Sequence, residues 1–161
     1  IEKMGELEVI VKKKNFSCDL ETSNRQLPEF WGECWTDKTM LELFERNPKE
    51  GIFGDALLGL CLSEIPQANE FVYAIGMMYD GGPVAEELSV EKIPAHTWAV
   101  FECVGPIPEA FQKMQHTVYS EFFPSSEYQP SSGLDIQVYP TGDMQSDKYV
   151  CQLWIPIEKN L

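Results

Sequence analysis

Amide and aromatic side chains alternate with aliphatic ones in the last two predicted strands of this 161-residue chain. Gln137 and Tyr139 share one face of the first strand, and Gln152 and Trp154 share one face of the second, because successive residues of a strand point to opposite sides. In a hairpin, the two amides and two rings could converge on one surface and leave the other aliphatic. Amides donate and accept hydrogen bonds and rings stack, so this pattern predicts a face that binds a small molecule.

Five residues from other predicted elements are further candidates for the same site. Trp31 lies near the start of the first helix, and Trp98 and Glu102 alternate along a central strand. Met77 and Tyr79 share a strand face in the first half, where a flexible thioether suits a site that accepts several ligands. The alternatives stay open at this stage: core packing for the apolar candidates, an exposed edge carboxylate for Glu102 and a solvated sheet face for the two glutamines.

The sequence gives little support for catalysis. It contains no G-x-S-x-G elbow and no glycine-rich phosphate loop. A glutamine cannot take a proton at neutral pH, and although Glu102 or Glu33 could act as the general base, nothing in the sequence argues that either does. We therefore expect a binding protein rather than an enzyme.

Cysteine and histidine spacing argues against a metal site. The five cysteines are spaced singly without a C-x-x-C pair, and His96 and His116 lack partners at ligand spacing. We expect reduced structural thiols, no metal and no cofactor.

The charge balance predicts which partners the chain avoids. With 26 acidic and 12 basic residues, the formal net charge is −14, and such a surface repels nucleic-acid phosphates. No segment has the length of a membrane span or the pattern of a signal peptide, so we expect a cytoplasmic protein without a membrane partner. Because the chain begins at Ile1, we also expect it to be a fragment or a processed product of something longer.

Periodicity and turn signals predict the order strand, helix, strand, strand, occurring twice in one domain of residues 1–161. The turn Asp80-Gly-Gly-Pro83 separates repeat one, about 1–82, from repeat two, about 83–161. The predicted elements are strands at 7–20, 54–63, 71–80 and 88–104 (possibly broken at Pro94-Ala95), helices from Leu27 to Asn47 and from Pro108 to Pro124, and the closing strand pair at 133–143 and 149–157. Two such units should join into an α+β fold: an antiparallel sheet with both helices on one face and a ligand groove on the other.

Several separated motifs resemble the GyrI-like family, the SOUL-related, AraC-type bacterial effector-binding domains, over essentially the whole chain. The motifs are Gln137-Val-Tyr139-Pro140, Cys151-Gln-Leu-Trp154-Ile-Pro156-Ile157, Ile93-Pro-Ala-His-Thr-Trp-Ala-Val-Phe-Glu102, Gly105-Pro106 and Leu27-Pro-Glu-Phe-Trp31. The resemblance implies a bacterial sensor that binds small, often aromatic or cationic, molecules in the manner of multidrug-binding domains. It also implies a role as the C-terminal part of a transcription regulator, with DNA bound only through a preceding domain. A stand-alone protein that binds a ligand or a protein, as the gyrase-inhibitory relatives do, is the alternative, and a small-molecule hydrolase is less favoured.

The chain departs from the family pattern at two positions that are commonly acidic. Gln137 and Gln152 stand there, and their amides keep hydrogen-bonding capacity without negative charge. A buried carboxylate needs a cation or a shifted pKa, whereas an amide does not. We therefore expect a preference for neutral or weakly polar aromatic ligands.

Overall fold

The computed structural model describes residues 2–17, 20–36, 53, 56–62, 70–79, 81–84, 86–107, 109–131, 134–140, 142–143 and 145–159. Its strands are β1 (Glu2–Met4), β2 (Leu7–Ser17), β3 (Leu57–Cys61), β4 (Glu70–Met78), β5 (Ser89–Ile93), β6 (His96–Val104), β7 (Tyr128–Pro130), β8 (Asp135–Tyr139) and β9 (Val150–Lys159). The break between β5 and β6 falls at Pro94-Ala95 as predicted, since a proline cannot donate to a sheet ladder.

Eight of these strands form one sheet in the order β1-β6-β9-β8-β3-β4-β2-β5, and β7 pairs with the end of β9. The order is symmetric about the β8–β3 contact, because β8-β9-β6 on one side corresponds to β3-β4-β2 on the other. The outermost strands are exchanged: β1 pairs with β6 of the second half, and β5 pairs with β2 of the first. All of these ladders are antiparallel, so the predicted α+β class is confirmed.

In the described part of the chain, the helices are α1 (Leu20–Thr36), α2 (Glu109–Thr117) and the short α3 (Phe123–Ser125), with a π-helical turn at Val118–Phe122 between the last two. α1 begins at Leu20 rather than at the predicted Leu27, and Pro28 lies inside it. The first two turns of α1 are mostly polar, so they lack the apolar periodicity that indicates a helix. Pro28 in turn resembled the proline that is common in the first turn of a helix. The predicted continuation of this helix, residues 37–47, lies outside the described residues.

The sheet has buried apolar side chains on both faces. Phe30 of α1 and Phe111 of α2 belong to one core cluster with Leu153 of β9, so both helices cover the same face, which we call the helix face. Trp98 and Trp154 belong to a second cluster on the opposite face. Among the described helices, none is long and apolar enough to cross a membrane.

Candidate functional site

A cavity of about 750 Å³ lies between α1 and α2, above the centre of the helix face. Its lining consists of Leu27, Pro28 and Trp31 from α1, Tyr73 from β4, Ile107, Phe111, Gln112 and Gln115 from and before α2, and Gln137 and Tyr139 from β8. We call it the interhelical cavity. The sequence-based expectation placed the ligand groove on the sheet face away from the helices. The interhelical cavity instead lies on the helix face, because the two helices flank the middle of the sheet and leave it open between them.

Four side chains in this cavity are joined by hydrogen bonds that converge on Gln137. Trp31 Nε1 donates to Tyr73 Oη at 3.3 Å, and Tyr73 Oη donates to Gln137 Oε1 at 2.8 Å. Tyr139 Oη donates to the same Gln137 oxygen at 3.1 Å. α1, β4 and β8 are thus linked through one amide at the floor of the cavity, and we call these four side chains the Gln137 network.

Gly59 of β3 leaves room for the Gln137 network. It lies between Gln137 of β8 and Ile75 of β4 in the sheet. A Cβ atom at this position would lie 2.7 Å from Gln137 Oε1 and closer still to Tyr73 Oη. Real Cβ contacts at such distances essentially never occur, so the network can rest on the sheet only above a glycine.

Aromatic rings form the walls of the interhelical cavity. Trp31 meets Tyr139 edge to face at 5.7 Å between ring centroids, and Phe111 of α2 lies against the same tyrosine at 6.0 Å. Such pairs are favourable beyond the apolar area that they bury. Tyr139 therefore packs against both helices while donating its proton to Gln137.

Burial keeps the two phenols of the Gln137 network protonated. Removal of Tyr73 from water raises its pKa far above the ordinary value, and the Trp31 hydrogen bond only partly opposes this. Burial also raises the pKa of Tyr139 well above its usual range. Both groups are consequently neutral hydrogen-bond donors at any physiological pH.

Asp135 brings a carboxyl group to the helix face, two residues before Gln137 on β8. Burial raises its pKa from 3.8 to about 7, and the Cys61 backbone hydrogen bond opposes that shift. Its Oδ1 atom is buried and has no hydrogen-bond partner among the residues that the structure describes. Asp135 is close enough to Tyr73 and Tyr119 to raise their pKa values, although burial has the larger effect on both. It lies beside the interhelical cavity but does not line it.

The predicted convergence of the two strand faces is wrong. In the β8–β9 ladder Gln137 lies opposite Leu153, while Val138 lies opposite Gln152. Gln137 and Tyr139 therefore face the helices, and Gln152 and Trp154 face the other way. Each strand has the predicted alternation, but a shared face for these four residues would need a register shifted by one residue from the observed one.

Two of the predicted residues on the opposite face are hydrogen-bonded to each other. Trp154 Nε1 donates to Gln152 Oε1 at 3.0 Å, and the Trp154 ring meets Trp98 edge to face at 6.3 Å. Trp98 is fully buried. Gln152 also borders a separate cavity of about 570 Å³ near the β8–β9 connection. Exposed Glu102 lies opposite Gln152 in the β6–β9 ladder, so it is on this face too.

Met77 and Tyr79 lie on the helix face but not in the lining of the interhelical cavity. Met77 is buried in the core of that face, and Tyr79 Oη donates to the Gly82 carbonyl at 2.6 Å. Tyr73, which sequence analysis missed, lies on the same face of β4 as Met77 and lines the interhelical cavity. The signal was its two-residue spacing with Ile75 and Met77, which predicts the face but not the position along the strand.

The lining of the interhelical cavity suits ligand binding better than catalysis. Its described side chains are apolar, aromatic or amide, without a carboxylate, thiol or imidazole. Within the described part of the chain, no group of three or more His, Cys, Asp and Glu residues is arranged to hold a metal ion. The hydrogen-bonding groups can orient a ligand between the aromatic walls.

Residues 1–157 match the family model Cass2, integron-associated effector binding protein. The chain belongs to this family of effector-binding proteins. The match confirms the resemblance to GyrI-like domains, which the sequence motifs had indicated. No curated protein is significantly similar to the chain in sequence.

Solved structures similar to this effector-binding protein share its fold at low sequence identity. SAV2435 bound to tetraphenylphosphonium is 22% identical with a TM-score of 0.82, and the match covers 98% of this chain and 92% of that one. A Staphylococcus aureus MU50 protein thought to act in bacterial transcription regulation is 21% identical with a TM-score of 0.81, over 98% and 95% of the two chains. EcmrR in a complex with DNA is 16% identical with a TM-score of 0.61, over 99% of this chain and 56% of that longer one.

Proposed function

We propose that this effector-binding protein is a sensor for a small aromatic ligand, neutral or weakly cationic, which binds in the interhelical cavity. The observation that carries the proposal is the Gln137 network, set between the aromatic walls of that cavity. Ligand sites typically measure about 300–1,000 Å³ and combine apolar walls with a few placed polar groups. The cavity of about 750 Å³ has this size and composition.

The ligand site is tested by thermal shift with a panel of aromatic compounds. A ligand that binds only the folded state raises the melting temperature with the logarithm of its concentration. Trp31→Ala removes one wall of the cavity and the first donor of the Gln137 network, so the shift should be lost. Trp35→Ala is the matched control, because Trp35 lies one turn later on α1 and is 54% exposed; this variant should keep the shift.

Circular dichroism of both variants verifies that they are folded. A folded Trp31→Ala protein with an undiminished shift would place the site outside the interhelical cavity. Loss of the ligand-induced thermal shift in both variants would show that ligand binding depends on α1 as a whole and not on Trp31 in particular.

Within this proposal the protein binds its ligand without turning it over. The described lining offers no side chain that accepts a proton at neutral pH. Incubation of the protein with the ligands that shift its melting temperature, followed by mass spectrometry, should recover each ligand unchanged. Accumulation of a product that depends on the folded protein would support the hydrolase alternative.

We also propose that the sensor serves a transcription regulator of the AraC type. The family is an effector-binding one, and EcmrR carries a similar fold within a longer chain that is seen with DNA. A net charge of −14 suits a part of such a regulator that leaves DNA contact to another segment. Residues 1–161 alone should not retard promoter DNA in a gel at low salt, whereas the full gene product should, and the ligand should change its transcriptional output. A full gene product that binds no DNA would favour the stand-alone alternative.

A further inference from the structure

The direction of the hydrogen bonds in the Gln137 network fixes which way the Gln137 amide points. An indole N–H can only donate, so Tyr73 Oη accepts from Trp31. The single proton of Tyr73 is then donated to Gln137, and its acceptor is the amide oxygen Oε1. The order of these groups, and not the amide alone, determines the orientation.

The second phenol reinforces this orientation. Tyr139 donates to the same oxygen, so Oε1 accepts two hydrogen bonds, which matches its two lone pairs. An amide turned by 180° would present N–H protons to two phenols whose own protons need acceptors. Because burial keeps both phenols protonated, this arrangement persists across the physiological pH range.

The protons of Gln137 Nε2 are the ones that the network leaves unused. Trp31, Tyr73 and Tyr139 each commit their single polar proton to a partner. No residue that the structure describes accepts a hydrogen bond from Gln137 Nε2. Gln137 is partly exposed and lines the interhelical cavity, so its amide N–H groups are available to a ligand there.

We infer that the interhelical cavity selects aromatic ligands that carry a hydrogen-bond acceptor, such as a phosphoryl or carbonyl oxygen, and that Gln137 Nε2 is the donor that recognises it. This inference deepens the proposed function and rests on it. A cation of the same shape meets the positive end of the amide dipole and leaves the N–H groups without an acceptor. An amide N–H group that a bound ligand covers without accepting its hydrogen bond is costly, because the group loses its contact with water.

The experiment compares two nearly isosteric probes by isothermal titration calorimetry at pH 6.0 and pH 8.0. Triphenylphosphine oxide carries three phenyl rings and a phosphoryl oxygen, and methyltriphenylphosphonium replaces that oxygen with a methyl group and is a cation. The wild-type protein should bind the oxide at least about tenfold more tightly at both pH values, a difference of about 1.4 kcal/mol. The second pH value tests the neighbouring Asp135, whose negative charge would favour the phosphonium at pH 8.0 only.

Three variants assign the preference to the Gln137 amide. Gln137→Glu replaces the donor with a carboxylate oxygen and should reverse the preference toward the phosphonium. Gln152→Glu is the matched control, because it makes the same charge change on the opposite face of the sheet and should leave the preference unchanged. Gln137→Met keeps the length of the side chain without a donor, so it should bind the two probes with similar affinity even if the glutamate variant fails to fold.

The outcomes separate this inference from the proposed function. Equal or tighter binding of the phosphonium by the wild-type protein, at either pH, would overturn the inference while leaving the cavity as a ligand site. An oxide preference that survives in Gln137→Met would overturn it as well. Binding of neither probe would contradict both the inference and the proposed site.

Discussion

Asp135 carries a carboxyl group into the layer between the sheet and the helices, where the charged form is unfavourable. Burial raises its pKa from 3.8 to about 7. Among the described residues, Tyr73, Tyr119 and Tyr139 interact with it electrostatically, and none of these is a cation. Between these two pKa values the folded protein holds a proton that the unfolded chain has released, so the contribution of Asp135 to stability falls as the pH rises from about 4 to 7.

Replacement of this residue by asparagine should therefore stabilise the protein in a pH-dependent way. Asp135→Asn keeps the shape and an acceptor for the Cys61 amide but cannot ionise. The raised pKa of Asp135 corresponds to a loss in the wild-type free energy of unfolding on the order of a few kcal/mol above pH 7. The asparagine variant avoids this loss. The measurement is the difference in melting temperature between variant and wild type at pH 4.5, 6.0, 7.0 and 8.5, which should widen up to about pH 7 and then level off. A constant difference would show that Asp135 has an ordinary pKa.

The members of the site that sequence analysis could find were those in recognisable motifs. Gln137, Tyr139 and Trp31 were predicted as site residues, and the structure brings these three together. Tyr73 and Asp135 were missed because alternation assigns a residue to a face but not to a neighbour in space. Their importance comes from the pairing of β4, β3 and β8, which no local pattern in the sequence specifies.

Strand β3 is the element that lets the Gln137 network rest on the sheet. Gly59→Ala introduces a methyl group into the space between Tyr73 Oη and Gln137 Oε1. We expect a loss of about 1–3 kcal/mol in the free energy of unfolding, the usual effect of overpacking. The ligand-induced thermal shift should be lost as well, because the Gln137 amide has to move away from the added methyl group.

Gly32→Ala serves as the control for the glycine substitution. A Cβ atom at Gly32 of α1 meets nothing within 4 Å, and alanine favours a helix more than glycine does. Urea denaturation should therefore show a stability gain of about 0.5–1 kcal/mol for Gly32→Ala, with ligand binding unchanged. Equal stability of Gly59→Ala and wild type would mean that the network can shift without cost.

The register of the closing strands shows where prediction from the sequence ends. The alternation within β8 and within β9 was predicted, but the connection between them, residues 140–149, is too long to fix a hairpin register by turn type. A shift of one residue would bring Gln137 and Gln152 to the same face. The observed pairing buries Leu153 on the helix face and Trp154 on the other, so apolar packing on both faces decides the register.

At the scale of the whole molecule, three ladders between described strands join the two halves of the sheet. The β3–β8 ladder joins them at the centre, and the exchanged strands β1 and β5 join them at the two edges. The Gln137 network adds side-chain bonds across the same centre, from Tyr73 in the first half to Gln137 in the second. The halves predicted from the sequence, about 1–82 and 83–161, should therefore unfold together.

Denaturation of two tryptophan-depleted variants tests this cooperativity. Trp98→Phe with Trp154→Phe leaves Trp31 and Trp35 as reporters in the first half, and the reverse pair of changes leaves reporters in the second. For each variant, the guanidinium midpoint from fluorescence should coincide with that from far-UV circular dichroism, as expected for a single two-state transition. Separated midpoints would show that each half is a folding unit of its own.

Division of the chain at the Gly81-Gly82 turn gives a sharper version of the same test. Fragment 1–82 alone lacks β6, the partner of β1, and fragment 83–161 alone lacks β2, the partner of β5. The unpaired edges should leave each fragment unfolded or aggregated. Co-expression of 1–82 and 83–161 should restore a soluble heterodimer, because β1 pairs with β6 and β5 pairs with β2 across the two fragments. The readouts are co-purification through a tag on one fragment and the return of the ligand-induced thermal shift, since the interhelical cavity draws its lining from both halves. A fragment that folds by itself and gives the shift alone would contradict the shared site.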